Sequence, residues 1–275
     1  MKVIDFHVHV FSPWVRQKRF DLAERDPLFG AIYGDPKAKM VGVEELLAMM
    51  EKEGVEGAVI CGFPWMDLDL CKRENDYLLE ASESHRELIP FVTFPPGDGG
   101  FKELERSRRY GARGAGELAP GTYGEGPLDE GLLKETFSVI RQLGLLALVH
   151  VNEPVGHPYP GKGRIGLKDV ERIVHAAQGV PFILAHLGGG FLFFELMPEI
   201  RDLCKGVYYD TAALPFLYSP RVWKVSMEII PKKLLFGTDY PLLGPSRYLE
   251  GMKEAGLSEG EREAILYRNA LRLLG

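Results

Sequence analysis

Two histidines one residue apart, His7 and His9 in Asp-Phe-His-Val-His, stand inside an otherwise apolar run near the start of the chain. A buried imidazole needs a partner for its ring nitrogens. Strand alternation puts His7 and His9 on one face and Phe6, Val8 and Val10 on the other. Side by side, two imidazoles can both reach one cation at about 2.0–2.1 Å. An isolated pair fits a structural role equally well, with both rings bonded to backbone. Three more residues tip the balance. His150 ends the run Leu-Leu-Ala-Leu-Val-His, His186 ends Pro-Phe-Ile-Leu-Ala-His, and Asp239 follows Leu-Leu-Phe-Gly-Thr. Each falls at the carboxyl end of a predicted strand. A cation held by imidazoles and a carboxylate, with one position open, lowers the pKa of bound water toward about 7. A neighbouring base can then take the proton.

The elements that must position these residues alternate along the chain. Short apolar runs are each followed by a segment of helical periodicity, about eight times over, and the runs are near-continuously apolar, as in parallel strands covered on both faces. The first helix is expected over Val41–Gly54 and stops at Gly54, where positive φ costs little. Others are expected over Arg73–His85, Gly100–Gly111 and Leu132–Gly144, and the last is expected over Glu261–Gly275. Eight strand–helix repeats in 275 residues predict an α/β fold, a (β/α)8 barrel in a single domain spanning 1–275. No linker divides the chain and no fixed-period repeat interrupts it. Two longer connections, near 11–40 and 152–166, leave the carboxyl ends of strands, where barrel enzymes build their active sites. A doubly wound open sheet is the alternative, disfavoured because no glycine fingerprint follows the first strand.

Composition bounds the partners. Lys and Arg number 33 against 39 Asp and Glu, a net charge of −6 that argues against nucleic acid or an anionic membrane as main partner. Cys61, Cys71 and Cys204 are too few and too scattered for a disulfide framework or a cysteine zinc site, and read as reduced thiols. No basic segment followed by an apolar one opens the chain, and no uncharged stretch is long enough to cross a bilayer, so a cytoplasmic protein is expected. The partner expected is a small molecule, with no nucleic acid and no membrane. The apolar run Phe-Leu-Phe-Phe-Glu-Leu-Met after the sixth strand is either core or a contact in a homo-oligomer.

Taken together, Asp-Phe-His-Val-His, Leu-Val-His, Ile-Leu-Ala-His-Leu-Gly-Gly-Gly, Phe-Gly-Thr-Asp-Tyr-Pro and the closing Arg-Asn-Ala-Leu-Arg-Leu-Leu resemble the metal-dependent amidohydrolase superfamily over essentially the whole chain. The branch they resemble includes aminocarboxymuconate-semialdehyde decarboxylase and related decarboxylases, hydratases and lactonases. The resemblance implies His7 and His9 as metal ligands from the first strand and His150 from the fifth. Asp239, from the eighth, is implied as a ligand that also exchanges protons with water. His186 is implied as a further ligand or as an acid/base. Glu117, in Gly-Ala-Gly-Glu-Leu, departs from the carboxylated lysine that many two-metal members carry on the fourth strand and is similar instead to the bridging glutamate of the TatD-like branch. It either bridges two metals, binds one, contacts substrate, or pairs with a basic residue such as Arg113. One zinc ion is the simpler expectation; manganese or a second ion is the alternative, since carboxylates accept harder metals.

Lesser candidates surround this set. Asp5 is placed to orient a ligand histidine or to cap the strand entrance. Asp210, Thr211 and Trp65 are expected to line the pocket, with core packing expected for Cys61 and Phe63. In the loop with His157 and Tyr159, Lys162 and Arg164 suit an anionic substrate, arginine gripping a carboxylate in bidentate fashion. The glycines after His186 are expected to permit a tight turn and close approach. His85 and His175 sit in helical patterns on the outer ring. The expected activity is metal-dependent hydrolysis of an amide or lactone. Its alternatives are non-oxidative decarboxylation of an unsaturated or aromatic acid, a TatD-like nuclease or phosphoesterase, and a non-catalytic metal-binding barrel.

Overall fold

The structure is a computed structural model that describes residues 2–121 and 128–275. Eight parallel strands run in sequence order: β1 (Ile4–His9), β2 (Gly57–Cys61), β3 (Leu88–Val92), β4 (Gly114–Leu118), β5 (Leu146–Val149), β6 (Phe182–Leu184), β7 (Val207–Asp210) and β8 (Leu234–Leu235). Beyond its short ladder, β8 meets β1 through Phe6 N–H to Phe236 O at 2.7 Å, Asp239 N–H to His7 O at 2.8 Å and His9 N–H to Tyr240 O at 2.8 Å. These bonds bring the first strand back to the last, as the eightfold repeat predicts for a (β/α)8 barrel.

Alternation along the strands sorts the core into two layers. Ile4, Phe6, Val59, Phe91, Leu148 and Ile183 fill the lumen. Their neighbours Val8, Ile60, Val92, Val149 and Leu184 face the helices. Phe6 therefore does not share a face with Val8 and Val10, as strict alternation predicts. The β1–β2 register shifts between Asp5 and Val8, so the strand carries an irregularity across Phe6 and His7. That lets Phe6 pack edge-on against Phe91 inside the barrel, at 5.9 Å between ring centroids. Gly114 of β4 makes room for the same ring, since a Cβ there would lie 2.5 Å from Phe91.

The helices around the barrel follow their sequence signals, with shifted ends. The segment after β1 is not an open loop: it folds into α1 (Pro13–Gln17), α2 (Arg19–Arg25) and α3 (Pro27–Tyr33). Phe11, Phe29, Tyr33, Phe63 and Trp65 pack these helices onto the barrel mouth. α4 (Val43–Glu53) stops at Gly54, at φ 71°. α5 (Leu68–Ser84) begins before the expected Arg73, because Asp67 caps it by accepting from the N–H groups of Asp69 and Leu70. α6 (Asp98–Arg109), α7 (Glu130–Gln142) and α8 (Leu167–Ala176) complete the middle of the chain. Then come α9 (Pro198–Leu203), α10 (Leu214–Leu217), α11 (Arg221–Ile229) and α12 (Pro245–Glu254). The closing helix is interrupted, with a wide turn at Ala264–Arg268 between α13 (Glu259–Glu263) and α14 (Asn269–Leu274). Among the described residues no helix is long and apolar enough to cross a membrane. Phe193, Phe194, Leu196 and Met197 are exposed at the surface.

Candidate metal centre

His7 and His9 end β1, Glu117 lies in β4, His150 follows β5, His186 follows β6 and Asp239 follows β8. All six side chains therefore meet at the carboxyl ends of the strands. The Nε2 atoms of His7 and His9 lie 3.1 Å apart. Asp239 Oδ1 is 3.5 Å from His9 Nε2 and 3.9 Å from His7 Nε2. Glu117 Oε2 is 3.4 Å from His9 Nε2 and 3.6 Å from His7 Nε2. Its other oxygen, Oε1, lies 3.0 Å from His150 Nδ1 and 3.6 Å from His186 Nε2.

Backbone geometry places these groups at a cost. His186 at φ 55°, Leu187 at 56° and Asp239 at 59° occupy the left-handed region, which non-glycine residues rarely adopt. Such outliers concentrate at functional sites, where surrounding structure over-determines them. The glycines after His186 extend the same turn. A Cβ at Gly189 would sit 2.2 Å from the Asn152 carbonyl oxygen, so the turn passes against the β5 exit as closely as backbone allows.

Behind the site, buried carboxylates set the rings. Asp210 is fully buried and accepts from His7 Nδ1 at 2.8 Å, from His186 N–H at 2.9 Å and from Ala212 N–H at 3.0 Å. His186 Nδ1 donates to the Ala212 carbonyl at 2.9 Å. Both bonds put the ring proton on Nδ1 and leave Nε2 with its lone pair facing the centre. Asp5 ties β1 to β8 by accepting from the Thr238 N–H at 3.0 Å, the Thr238 hydroxyl at 2.5 Å and the His7 N–H at 3.2 Å. Burial, opposed by those hydrogen bonds, raises the Asp5 carboxyl to about 7.

The donor set fits a divalent cation. Ligand atoms around a tetrahedral ion at about 2.0–2.1 Å are separated by roughly 3.3–3.4 Å, close to the spacings above. His150 Nε2 is buried without a hydrogen-bond partner, which in a protein interior calls for one. Without an ion the cluster balances itself with protons. Burial favours neutral Glu117, but the imidazoles of His7 and His150 and hydrogen bonds from His150 and His186 outweigh it and hold the carboxyl well below the usual range. Burial likewise opposes the charge on His7, yet Glu117 and Asp210 raise it well above an ordinary histidine. His186, buried but facing Glu117 and Asp239, is raised to about 9. A cation would displace these protons.

Above the donors opens a cavity of about 560 Å³, within the usual range of small-molecule sites. His9, Glu117, His150, His186 and Asp239 form its floor; its walls include Leu28, Ile32, Phe63, Phe216 and Leu242. Tyr33 lines it too, and burial together with the Asp239 and Glu117 carboxylates pushes its phenol up, so it stays a protonated donor. Lys37 and Lys39 reach the rim. Tyr33 and both lysines went unmarked in the sequence because only the folding of α3 over the mouth brings them there.

Other sequence candidates lie elsewhere. Trp65 is 1% exposed and stacks in the aromatic cluster, 4.5 Å from Phe63 and 4.8 Å from Phe29, outside this cavity's lining. Asp210 lies behind the ligands rather than in the cavity wall, and Thr211 bonds the Gly237 carbonyl. Arg164 is exposed and away from the cavity. Lys162 donates to the Val155 and His157 carbonyls and so braces its own loop, while His157 and Tyr159 do line the cavity. Arg113 donates to the Leu274 carbonyl, not to Glu117. His85 and His175 lie in or at the ends of outer helices.

Residues 4–275 match the sequence profile of the Amidohydrolase family. The chain belongs to the amidohydrolase family. Solved structures of like fold agree. A 2,6-dihydroxybenzoate decarboxylase in complex with 2,6-dihydroxybenzoate aligns over 100% of this chain and 99% of its own, with a TM-score of 0.78 and 17% identity. A dihydroxybenzoic acid decarboxylase from Polaromonas sp. JS666, with bound manganese and 2-nitroresorcinol, covers 99% of this chain and 96% of its own at TM-score 0.74 and 16% identity. A probable 2-pyrone-4,6-dicarboxylic acid hydrolase from Acinetobacter baumannii with citric acid bound covers 100% of both chains at TM-score 0.67 and 15% identity. A comparison with curated proteins finds no match. As an enzyme of the amidohydrolase family, the chain has a candidate divalent-metal site at the donor cluster.

Proposed function

We propose that this chain is a divalent-metal-dependent hydrolase of a small carbonyl substrate, an amide or lactone. The observation that carries the reading is Asp239, whose Oδ1 lies among the histidine nitrogens while 20% of its side chain remains open to the cavity. Glu117 shares the cavity floor, but only 10% of its side chain is exposed, so Asp239 is the more open of the two carboxylates there. His7, His9 and Asp239 would hold the ion, with Glu117, His150 and His186 beside them. Zinc suits the imidazole-rich set, and manganese suits its carboxylates. When bound, the ion supplies a Lewis acid for the substrate oxygen and brings the pKa of water toward about 7.

The chain's own groups do the rest. Asp239 accepts the proton of the attacking water and returns it to the leaving nitrogen or oxygen, so that water adds across the broken bond. Tyr33, kept protonated, donates to the substrate oxygen as charge develops there. The aliphatic and aromatic walls bind the substrate's apolar part and limit bulk water. Lys37 and Lys39 favour an anionic substrate group at the rim. The cytoplasm is the proposed location, and exposed Phe193, Phe194, Leu196 and Met197 support a contact between copies of the chain.

Non-oxidative decarboxylation of an aromatic acid is the second reading, supported by the decarboxylases among the structures of like fold. Chelator-treated, zinc-reloaded protein offered lactones, amides and hydroxybenzoates separates the two. Metal-dependent acid release without carbon dioxide is expected. Carbon dioxide release without net addition of water would replace hydrolysis with decarboxylation, and turnover indifferent to metal would sink both.

A further inference from the structure

We infer that Tyr159 selects the substrate by accepting a hydrogen bond from a hydroxyl on its apolar body, and that Glu153, which takes the phenol's own proton, is the positioning residue that makes Tyr159 an acceptor. The inference rests on the small-carbonyl hydrolase reading above and deepens it by naming a feature of the substrate.

Tyr159 lines the cavity above the donor cluster, and Glu153 lies behind it, outside that lining. The Tyr159 hydroxyl donates to Glu153 Oε2 at 2.9 Å. A phenol has a single proton and a carboxylate can only accept, so the bond commits that proton to Glu153 and leaves the phenol oxygen as an acceptor toward the cavity. Burial, followed by the Glu153 charge, raises the phenol, so the oxygen stays neutral. Asp239 adds to the same rise, which sets the phenol within electrostatic reach of the centre's more open carboxylate. Among the described residues Glu153 Oε1 is buried with no hydrogen-bond partner, so this carboxylate depends on Tyr159 as its side-chain donor.

The loop holds the ring in place. The Lys162 ammonium bonds the Val155 and His157 carbonyls and lies 5.3 Å from the centroid of the Tyr159 ring, and the Lys162 N–H donates to the Tyr159 carbonyl at 3.1 Å. Gly161, at φ 84°, turns the chain against α3, where a Cβ would come 2.9 Å from the Ile32 side chain. Tyr33, on the same helix, offers a donor, so the two wall tyrosines present opposite hydrogen-bonding characters to the substrate. A hydroxyl beside Tyr159 is bound, whereas an ether there sets two acceptors against each other.

The test uses tetralones, bicyclic aryl ketones that can be neither hydrolysed nor decarboxylated, carrying a hydroxyl or a methoxyl at each ring position in turn. Titration calorimetry on the zinc-loaded chain reads their dissociation constants. The best-bound hydroxyl compound is expected to bind about tenfold tighter than its methoxyl partner. Tyr159→Phe should bring the pair within about twofold. Glu153→Leu should reverse the order, because the freed phenol proton turns to the cavity and favours the ether oxygen; a carboxylate that merely braced the loop would weaken both compounds alike on removal. Equal affinities in the wild type, or a preference retained in Tyr159→Phe, overturn the inference. A preference unchanged in Glu153→Leu overturns the part given to Glu153. No binding by any tetralone overturns the whole inference as well, and leaves the hydrolase reading to the metal-dependent turnover that tests it.

Discussion

His7 and His9 sit on one strand, whereas His150 and His186 come from the ends of adjacent strands, and the two pairs are held differently. His7 is fully buried and locked by Asp210. The His150 side chain is 19% exposed and its ring is held by Glu117, itself a candidate ligand. His7 is fixed by a group outside the centre, whereas His150 depends on the centre itself. A ring held from outside can be set for an ion in advance, and a ring held by a neighbouring donor can adjust to one.

Loss of the ring held from outside should do most. His7→Ala is expected to weaken metal binding by more than about 100-fold and to abolish metal-dependent turnover, beyond what loss of an outer partner does. Dialysis against a metal buffer measures it, and retained affinity would remove His7 from the ligand set. Asp210→Asn keeps the acceptor for the backbone N–H groups but loses the charge behind His7. A loss of about 10–100-fold in metal affinity is expected, with the thermal unfolding midpoint of the metal-loaded protein little changed. An unchanged affinity would mean that His7 needs no orienting partner.

The next contrast is between metal-free and loaded protein. His186, raised to about 9, contributes stability that is complete below pH 6.5 and lost as pH rises through about 9. The metal-free chain should therefore lose on the order of 3 kcal/mol between those values, and the loaded chain much less. Denaturant titrations at several pH values measure both. Equal slopes would break the claim that ion and protons compete for one cluster. The smallest effect is expected at Arg164, exposed and off the cavity: Arg164→Ala should leave kcat/KM within about twofold. A tenfold loss would bring that loop over the substrate.

The sequence carried the candidate donors better than their surroundings. His7, His9, His150, His186 and Asp239 were legible because each sits at the end of an apolar run, and strand ends of a barrel converge. The face of Phe6 was not legible, since a register shift across Phe6 and His7 breaks the alternation on which that inference stands. Asp210 was marked, but as a pocket residue; its place behind two histidines follows from β7 lying between β6 and β8. Glu117 carried its alternatives openly, and its orientation follows from histidines of β1 and of the β5 and β6 ends, which only the closed barrel brings to it. Tyr33 lay within a segment singled out for its length, but the packing of Phe29, Phe63 and Trp65 that turns α3 over the mouth has no local signal.

The central claim is that these strand ends hold a catalytic cation. A crystal of the zinc-loaded chain, with diffraction recorded across the zinc absorption edge, tests it most directly. An anomalous peak within about 2.0–2.2 Å of His7 Nε2, His9 Nε2 and an Asp239 oxygen is the expected result. Fully loaded protein with no anomalous density among those three residues would contradict it.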